Sequence, residues 1–301
     1  MKKIIVALLT ILVVVIGIAP RYVGGKAEEQ YAGVIEQLRL NGFQVASHNY
    51  QRSWLGSQST TELRLPLPQG TENQGDDPQL PKELRFTLVS DIHHGPIIPA
   101  HGTALAVVDT RVLVNGEQLF PEEYPATLQT VLALDGTMTS RLDLPAKRMP
   151  IGKQGVTVDF QGLEGSLTTD RDFQQFQATM NSPGTQVTEN GVEVLSIGPM
   201  RLDSNSQRGV QGLMLGTGKL QLAYLRAKDG DVGQVFNISE ITLAAESHAE
   251  GEQVAASMTT TLKSVDAMGR KYGQSGLTFS MGNPYAPVLV KSQHALDEVR
   301  T

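Results

Sequence analysis

The sequence predicts a mainly β protein: an extended antiparallel sheet or meander, preceded by a transmembrane helix and one amphipathic helix, with α+β as the alternative. Three observations carry that expectation. Beyond Gly42 apolar residues recur at nearly every second position, glycine-bearing turns separate the runs, and the one long apolar run is Ile4 to Ala19. Aromatic residues make up only 5 % of the chain and there are 30 glycines, so a long meander is expected in place of a single compact core.

At the N-terminus Met1-Lys2-Lys3 precedes the run from Ile4 to Ala19, which only Thr10 and Gly17 interrupt. Lysines ahead of an apolar segment stay in the cytoplasm while the segment enters the bilayer. The run is slightly shorter than the roughly 20 residues that span hydrocarbon, so a cleavable signal peptide or a buried helix are the alternatives to an uncleaved anchor. Pro20 directly after a small-residue cut at Ala19 disfavours cleavage, and Val23-Gly24-Gly25 is a weaker site, so the anchor is favoured. Residues 1–25 are then the membrane anchor and joint, and 26–301 a β-rich periplasmic domain of a single-pass bacterial inner-membrane protein.

From Lys26 to Leu40 the period changes. Tyr31, Val34, Ile35 and Leu38 fall at helical spacing, with Glu28, Glu29, Glu36 and Arg39 on other faces and Asn41-Gly42 as a stop. Phe43 to Tyr50 opens a strand, and Thr61 to Leu67 alternates strictly. Gln69 to Pro81 is polar, acidic and rich in turn residues, as a solvated loop is. Strands follow at Leu84 to Ile92 and Thr103 to Val114. Leu128 to Leu144 holds two alternating runs around Asp135-Gly136, a pair suited to a two-residue type I′ hairpin. Further strands are expected at Val156–Phe160, Phe173–Met180, Val192–Ile197, Lys219–Leu225, Phe236–Leu243, Val254–Leu262 and Leu277–Met281, with a last helical stretch over Pro287–Arg300.

Composition excludes several chemistries. With no cysteine there is no disulfide, iron–sulfur cluster, thiol nucleophile or thiolate zinc site. A net charge of −6, without a basic run after Lys3, gives no long-range attraction for nucleic acid. His93, His94 and His101 are the one histidine cluster, but adjacent strand residues point to opposite faces and no HExxH spacing accompanies them. Ser90, Asp91 and His93 lie too close along one strand for triad geometry. Gly216-x-Gly218 lacks the third glycine of a phosphate loop. No cofactor or metal is expected. The sole tryptophan, Trp54, reads as a core aromatic beside a turn or as a partner contact.

Three features together resemble the YdgA-like family of bacterial membrane-anchored periplasmic proteins of unknown function. They are the Lys-Lys start with its short apolar helix, Pro20 and Gly25; the Tyr50, Arg52, Trp54 and Ser57 stretch leading into an alternating strand; and His94-Gly95-Pro96 after a strand. Ser53 stands where the family pattern has Gly, and Gly56 separates the aromatic from Ser57. The resemblance is concentrated in residues 1–110, and the chain ends at Thr301 as a short member or a fragment would. It implies a periplasmic location and no catalytic residues. His93 and His94 are expected to face opposite ways, with Gly95-Pro96 redirecting the chain after a strand that ends at Ile92.

The function expected on these grounds is a non-enzymatic envelope scaffold, held to the inner membrane by residues 4–19, that binds an envelope protein or a lipid along its sheet. An envelope hydrolase acting on glycan or peptide is the alternative. A lipid requires a continuous apolar face or groove, whereas a protein partner requires an exposed edge or patch.

Overall fold

The computed structural model describes residues 25, 28, 32, 33, 35, 36, 39, 44–53, 56–66, 83–98, 102–114, 117–118, 126–151, 155–229, 233–267, 269–282 and 284–288. The anchor expected over residues 4–19 and the loop expected over Gln69–Pro81 lie outside these. No helix among the described residues is long and apolar enough to cross a membrane. The chain is mainly β, in antiparallel sheets, and divides into two compact units, Met1–Arg141 and Leu142–Thr301.

The first unit contains β1 (Gln44–Arg52), β2 (Gly56–Pro66), β3 (Glu83–His94), β4 (Ile97–Ile98), β5 (Gly102–Thr103), β6 (Ala106–Val114), β7 (Glu117–Gln118), β8 (Thr127–Leu132) and the start of β9 (Met138–Leu144). β1, β2, β3, β6 and β8 pair antiparallel in that order. The register places Arg52, Ser57, Ile92 and Val108 in one row and Tyr50, Ser59, Ser90 and Thr110 in the next, so alternation puts them on a common face. Gly25, Glu28, Ala32, Gly33, Ile35, Glu36 and Arg39 are helical. They belong to the stretch whose 3.6-residue pattern predicts an amphipathic helix. Ile35 is buried and Glu28 Oε2 lies 3.4 Å from Arg52 Nη1, which brings this segment against β1. Ile92, Ala106 and Leu132 form the apolar core of that face. On the opposite face β4 and β5 fold back so that Ile98 and Ala104 cover Val107.

Two local expectations are corrected here. β3 continues past Ile92 to His94, which pairs with Ala106, because the Gly95 amide still donates to the Leu105 carbonyl at 2.8 Å. The Asp135-Gly136 connection is not a two-residue type I′ turn. Ala133 bonds Thr137 and the Gly136 amide returns to the Ala133 carbonyl, leaving a three-residue loop. A type I′ turn needs positive φ at both central residues. Gly136 alone has it, at φ 90°, while the Asp135 carboxylate accepts the Thr137 amide at 2.9 Å, an Asx-type bond that favours ordinary turn geometry.

The second unit contains the end of β9, β10 (Lys147–Ile151), β11 (Val156–Phe160), β12 (Leu163–Thr169), β13 (Gln175–Ser182), β14 (Thr185–Glu189), β15 (Val192–Ile197), β16 (Met200–Arg208), β17 (Met214–Asp229), β18 (Gly233–Glu250), β19 (Gln253–Ala267), β20 (Arg270–Tyr272) and β21 (Ser275–Met281). The strand expected over Phe173–Met180 begins only at Gln175. Phe173 sits in a turn at φ 54°, held by the Asp170 carboxylate, which accepts the Gln174 and Gln175 amides. Of the helix expected over Pro287–Arg300, Pro287 and Val288 are helical and the rest lies outside the described residues.

The pairings follow two parallel sequences of neighbours. One runs β12, β13, β16, β17, β18, β19, β21. The other runs β10, β11, β14, β15, β17, β18, β19, β20. They meet along a transverse crease, where successive strands break at Gln161-Gly162, Pro183-Gly184 and Gly198-Pro199. Proline removes a ladder donor, and Gly162 and Gly184 take φ +107° and +132°, so regular strand geometry is interrupted at the same height in neighbouring strands. Single backbone bonds from Gln161 to Gly184, Gly198 to Tyr224 and Ala223 to Pro199 carry the sheet across. β17 crosses this line unbroken. β18 crosses it with Glu240 at φ +48°.

Candidate functional site

Two regions deserve the name of candidate. The first gathers the motif residues in the first unit. Tyr50 and Arg52 end β1, Ser57 starts β2, and His94 ends β3. Pairing of β2 with β3 brings Ser57 Oγ and His94 Nε2 to 3.0 Å although 37 residues separate them. Both are buried, at 4 % and 5 % exposure, among other polar residues of the same face: Ser59, Thr61, Ser90 and Thr110. Tyr50 packs on the core beside them, and Trp54 lies outside the described residues.

As placed, the pair lacks two features of a serine nucleophile and its base. A serine nucleophile must be reachable and its histidine needs an orienting acceptor. Ser57 is enclosed, and His94 Nδ1 is buried without a hydrogen-bond partner among the described residues. Burial, then the charge of Arg52 and the neighbouring His93, holds the His94 imidazole below its ordinary value of 6.5, against an opposing pull from Glu28. The imidazole and the hydroxyl thus form a buried hydrogen bond between β2 and β3.

His93 points the other way, its side chain 54 % exposed and Nε2 3.6 Å from Asp109 Oδ2. The adjacent histidines therefore cannot share an ion, and no metal-binding cluster occurs among the described residues; His101 is outside them. Ser90, Asp91 and His93 do not converge either. Ser90 is buried against Thr110 at 2.9 Å, whereas Asp91 accepts from Gln58 and faces Arg111 on the exposed side. Gly216 and Gly218 lie within β17, not in a phosphate loop.

Gly95 and Pro96 have a backbone role. A Cβ on Gly95 would stand 1.6 Å from the Ala104 carbonyl oxygen. Pro96, joined to it by a cis peptide bond, accepts the Ala104 amide at 3.2 Å. The motif thus marks a place where two chain segments approach too closely for any side chain.

The second candidate is the sheet of the second unit. Below the crease its two faces differ in chemistry, one carrying most of the large apolar side chains with a few serines and threonines among them. Rows such as Met180, Leu202, Leu220, Leu243, Thr260 and Leu277, or Leu167, Ala178, Ser204, Gly218, Ala245, Met258 and Phe279, occupy one face. The intervening rows, Asn181, Arg201, Gln221 and Thr242 among them, or Thr179, Asp203, Lys219 and Thr259, occupy the other. Large side chains on the apolar face remain exposed, including Met214 and Met258 at 44 % and Phe279 at 64 %. There a hollow of about 420 Å³ is lined by small residues such as Gly216, Gly218 and Ala245, by Met214, Met258 and Phe279, and by the hydroxyl residues Ser204, Ser206 and Ser247.

At the crease the sides exchange. Along β17, Leu220 and Leu222 share a face with Tyr224 and Arg226, whose guanidinium lies 4.0 Å from the Tyr224 ring centre. Arg226 is followed across the strands by Asn237 and Asp266, while Leu225, Ile197, Ile238 and Val265 take the opposite face. A single face is therefore largely apolar below the crease and polar above it. The reverse face carries a hollow of about 760 Å³ at the crease. There Arg201 is already bound in a two-pronged pair to Asp203, and Glu240 pairs with Lys263.

Sequence reading located the motif residues but missed this second region. Its signals were present: turn dipeptides inside otherwise alternating runs, at Gln161-Gly162, Pro183-Gly184 and Gly198-Pro199.

No curated protein and no solved structure matches the chain. A family model, that of a bacterial protein of unknown function (DUF945), matches residues 1–300, and by that extent the chain belongs to this family.

Proposed function

We propose that this is a membrane-anchored protein of the bacterial periplasm, without enzymatic activity, that holds a lipid against the sheet of its second unit. The observation that supports it is the amphipathic face described above. From Leu222 to Gly216 is six residues along β17, about 20 Å at the usual strand rise. That length suits an extended acyl chain on the apolar rows, with its headgroup beyond the crease near Arg226 and Asn237. The hollow, largely apolar with a few hydroxyls in its lining, supplies the groove that a lipid reading requires. The anchor rests on Lys2, Lys3 and the Ile4–Ala19 run, and on the YdgA-like resemblance of the first 110 residues.

Ala244 and Ala245 make the test selective. They are adjacent and exposed, but Ala245 faces the apolar rows beside Gly218 and Met258, and Ala244 faces the polar rows beside Lys219 and Thr259. The full chain, purified in mild detergent, should retain phospholipid detectable by native mass spectrometry. Ala245→Asp should lower the bound fraction about tenfold, since a carboxylate in an apolar contact costs well over 1.4 kcal/mol. Ala244→Asp should leave it unchanged. Lipid-free wild-type protein, or equal loss in both variants, would dispose of the lipid reading and return the sheet to a protein partner.

A further inference from the structure

We infer that the chain associates with a second copy of itself through the free edge of β21. β21 pairs with β19 on one side, and its other edge is unpaired among the described residues. Such an edge is a template for another strand unless charge, proline or a bulge protects it. The strand Ser275-Gly276-Leu277-Thr278-Phe279-Ser280-Met281 has none of these. Leu277 at 72 % and Phe279 at 64 % are among the most exposed large apolar side chains of the described residues.

The strand is complementary to itself. If two copies pair antiparallel about a twofold axis at Thr278, Leu277 of each copy falls opposite Phe279 of the other, and Gly276 falls opposite Ser280. Antiparallel partners share a face, so the two Leu277–Phe279 pairs lie side by side on one face, Gly276 and Ser280 meet on the other, and Ser275 falls opposite Met281 at the ends. The apolar row through Met258 and Phe279 then continues into Leu277 and Thr260 of the second copy. An isologous contact of this kind closes on itself and gives a dimer, not a fibre. A strand from another protein would need its own apolar residues in matching register. The second copy already has them.

The native chain contains no cysteine, which permits a direct test. Residues opposite each other in antiparallel strands have Cα atoms about 4.5–5.5 Å apart, within the range a disulfide spans. The full-length Thr278→Cys protein should form an intermolecular disulfide under mild oxidation. A Thr217→Cys control, on the polar face of β17, should not. Light scattering in detergent should show a dimer for the wild-type chain, and Phe279→Lys should weaken self-association at least about tenfold. A monomeric wild-type chain would overturn the inference. So would a dimer in which Thr278→Cys fails to cross-link, or one that Phe279→Lys leaves intact. Because the readout is oligomeric state, it stands or falls independently of lipid binding.

Discussion

A β-carbon placed on Gly95 would penetrate the Ala104 carbonyl, and backbone on both sides leaves no rotamer to relieve it. Gly95→Ala should therefore cost at least about 3 kcal/mol, a clash forced into packed backbone, and chemical denaturation of the purified protein would measure it. A loss under about 1 kcal/mol would mean the two segments separate easily. His94 gives a prediction of a different kind. Its folded pKa is depressed, chiefly by burial, so between that value and about 6.5 the unfolded chain binds a proton that the folded chain does not. The stability that His94 contributes is complete above about pH 6.5 and is lost as the pH falls through the folded pKa. Tm measured against pH should decline over that interval in the wild-type protein. In His94→Gln, which keeps a donor and an acceptor for Ser57, the decline should be shallower. An unchanged slope would place the titration elsewhere.

Among the elements, the crease explains why strands of the second unit are broken without the sheet being lost. Gly184 sits at φ +132°, and a Cβ there would come 2.5 Å from the Ile197 carbonyl oxygen in the next strand. Gly218, on β17, has nothing within 4 Å of such a Cβ. Gly184→Ala should therefore destabilise by about 2 kcal/mol or more, through unfavourable φ and the backbone clash. Gly218→Ala should change stability by less than about 1 kcal/mol, with any gain coming from a less flexible unfolded chain. Urea titration of the two variants side by side decides the matter, and equal effects would deny the crease its conformational requirement. The hairpin at Asp135-Gly136 shows the same economy of signal. The dipeptide correctly announces a turn, but whether two or three residues form it depends on whether Asp135 adopts positive φ or caps Thr137.

Taken whole, the molecule separates what alternation can dictate from what pairing must decide. The topology expected from Lys2, Lys3 and the Ile4–Ala19 run is testable by fusing a reporter active only in the periplasm after Thr301, which should be active; activity of a cytoplasm-only reporter there would refute it. The β class, most strand positions, the helix around Ile35 and the opposite facing of His93 and His94 were legible in the sequence, because each depends on local periodicity or on the geometry of adjacent residues. The joining of Ser57 to His94 was not legible, since 37 intervening residues are spanned only once β2 and β3 choose their register. The same holds for the amphipathic face. Leu220, Leu243 and Leu277 each read alone as an ordinary half-buried residue, and they become one row only through the pairing of β17, β18, β19 and β21. By itself the sequence determined the period, and so the strands and their two-sidedness. Tertiary structure alone decided which sides align and where they exchange, because register is a relation between distant segments that no local pattern encodes.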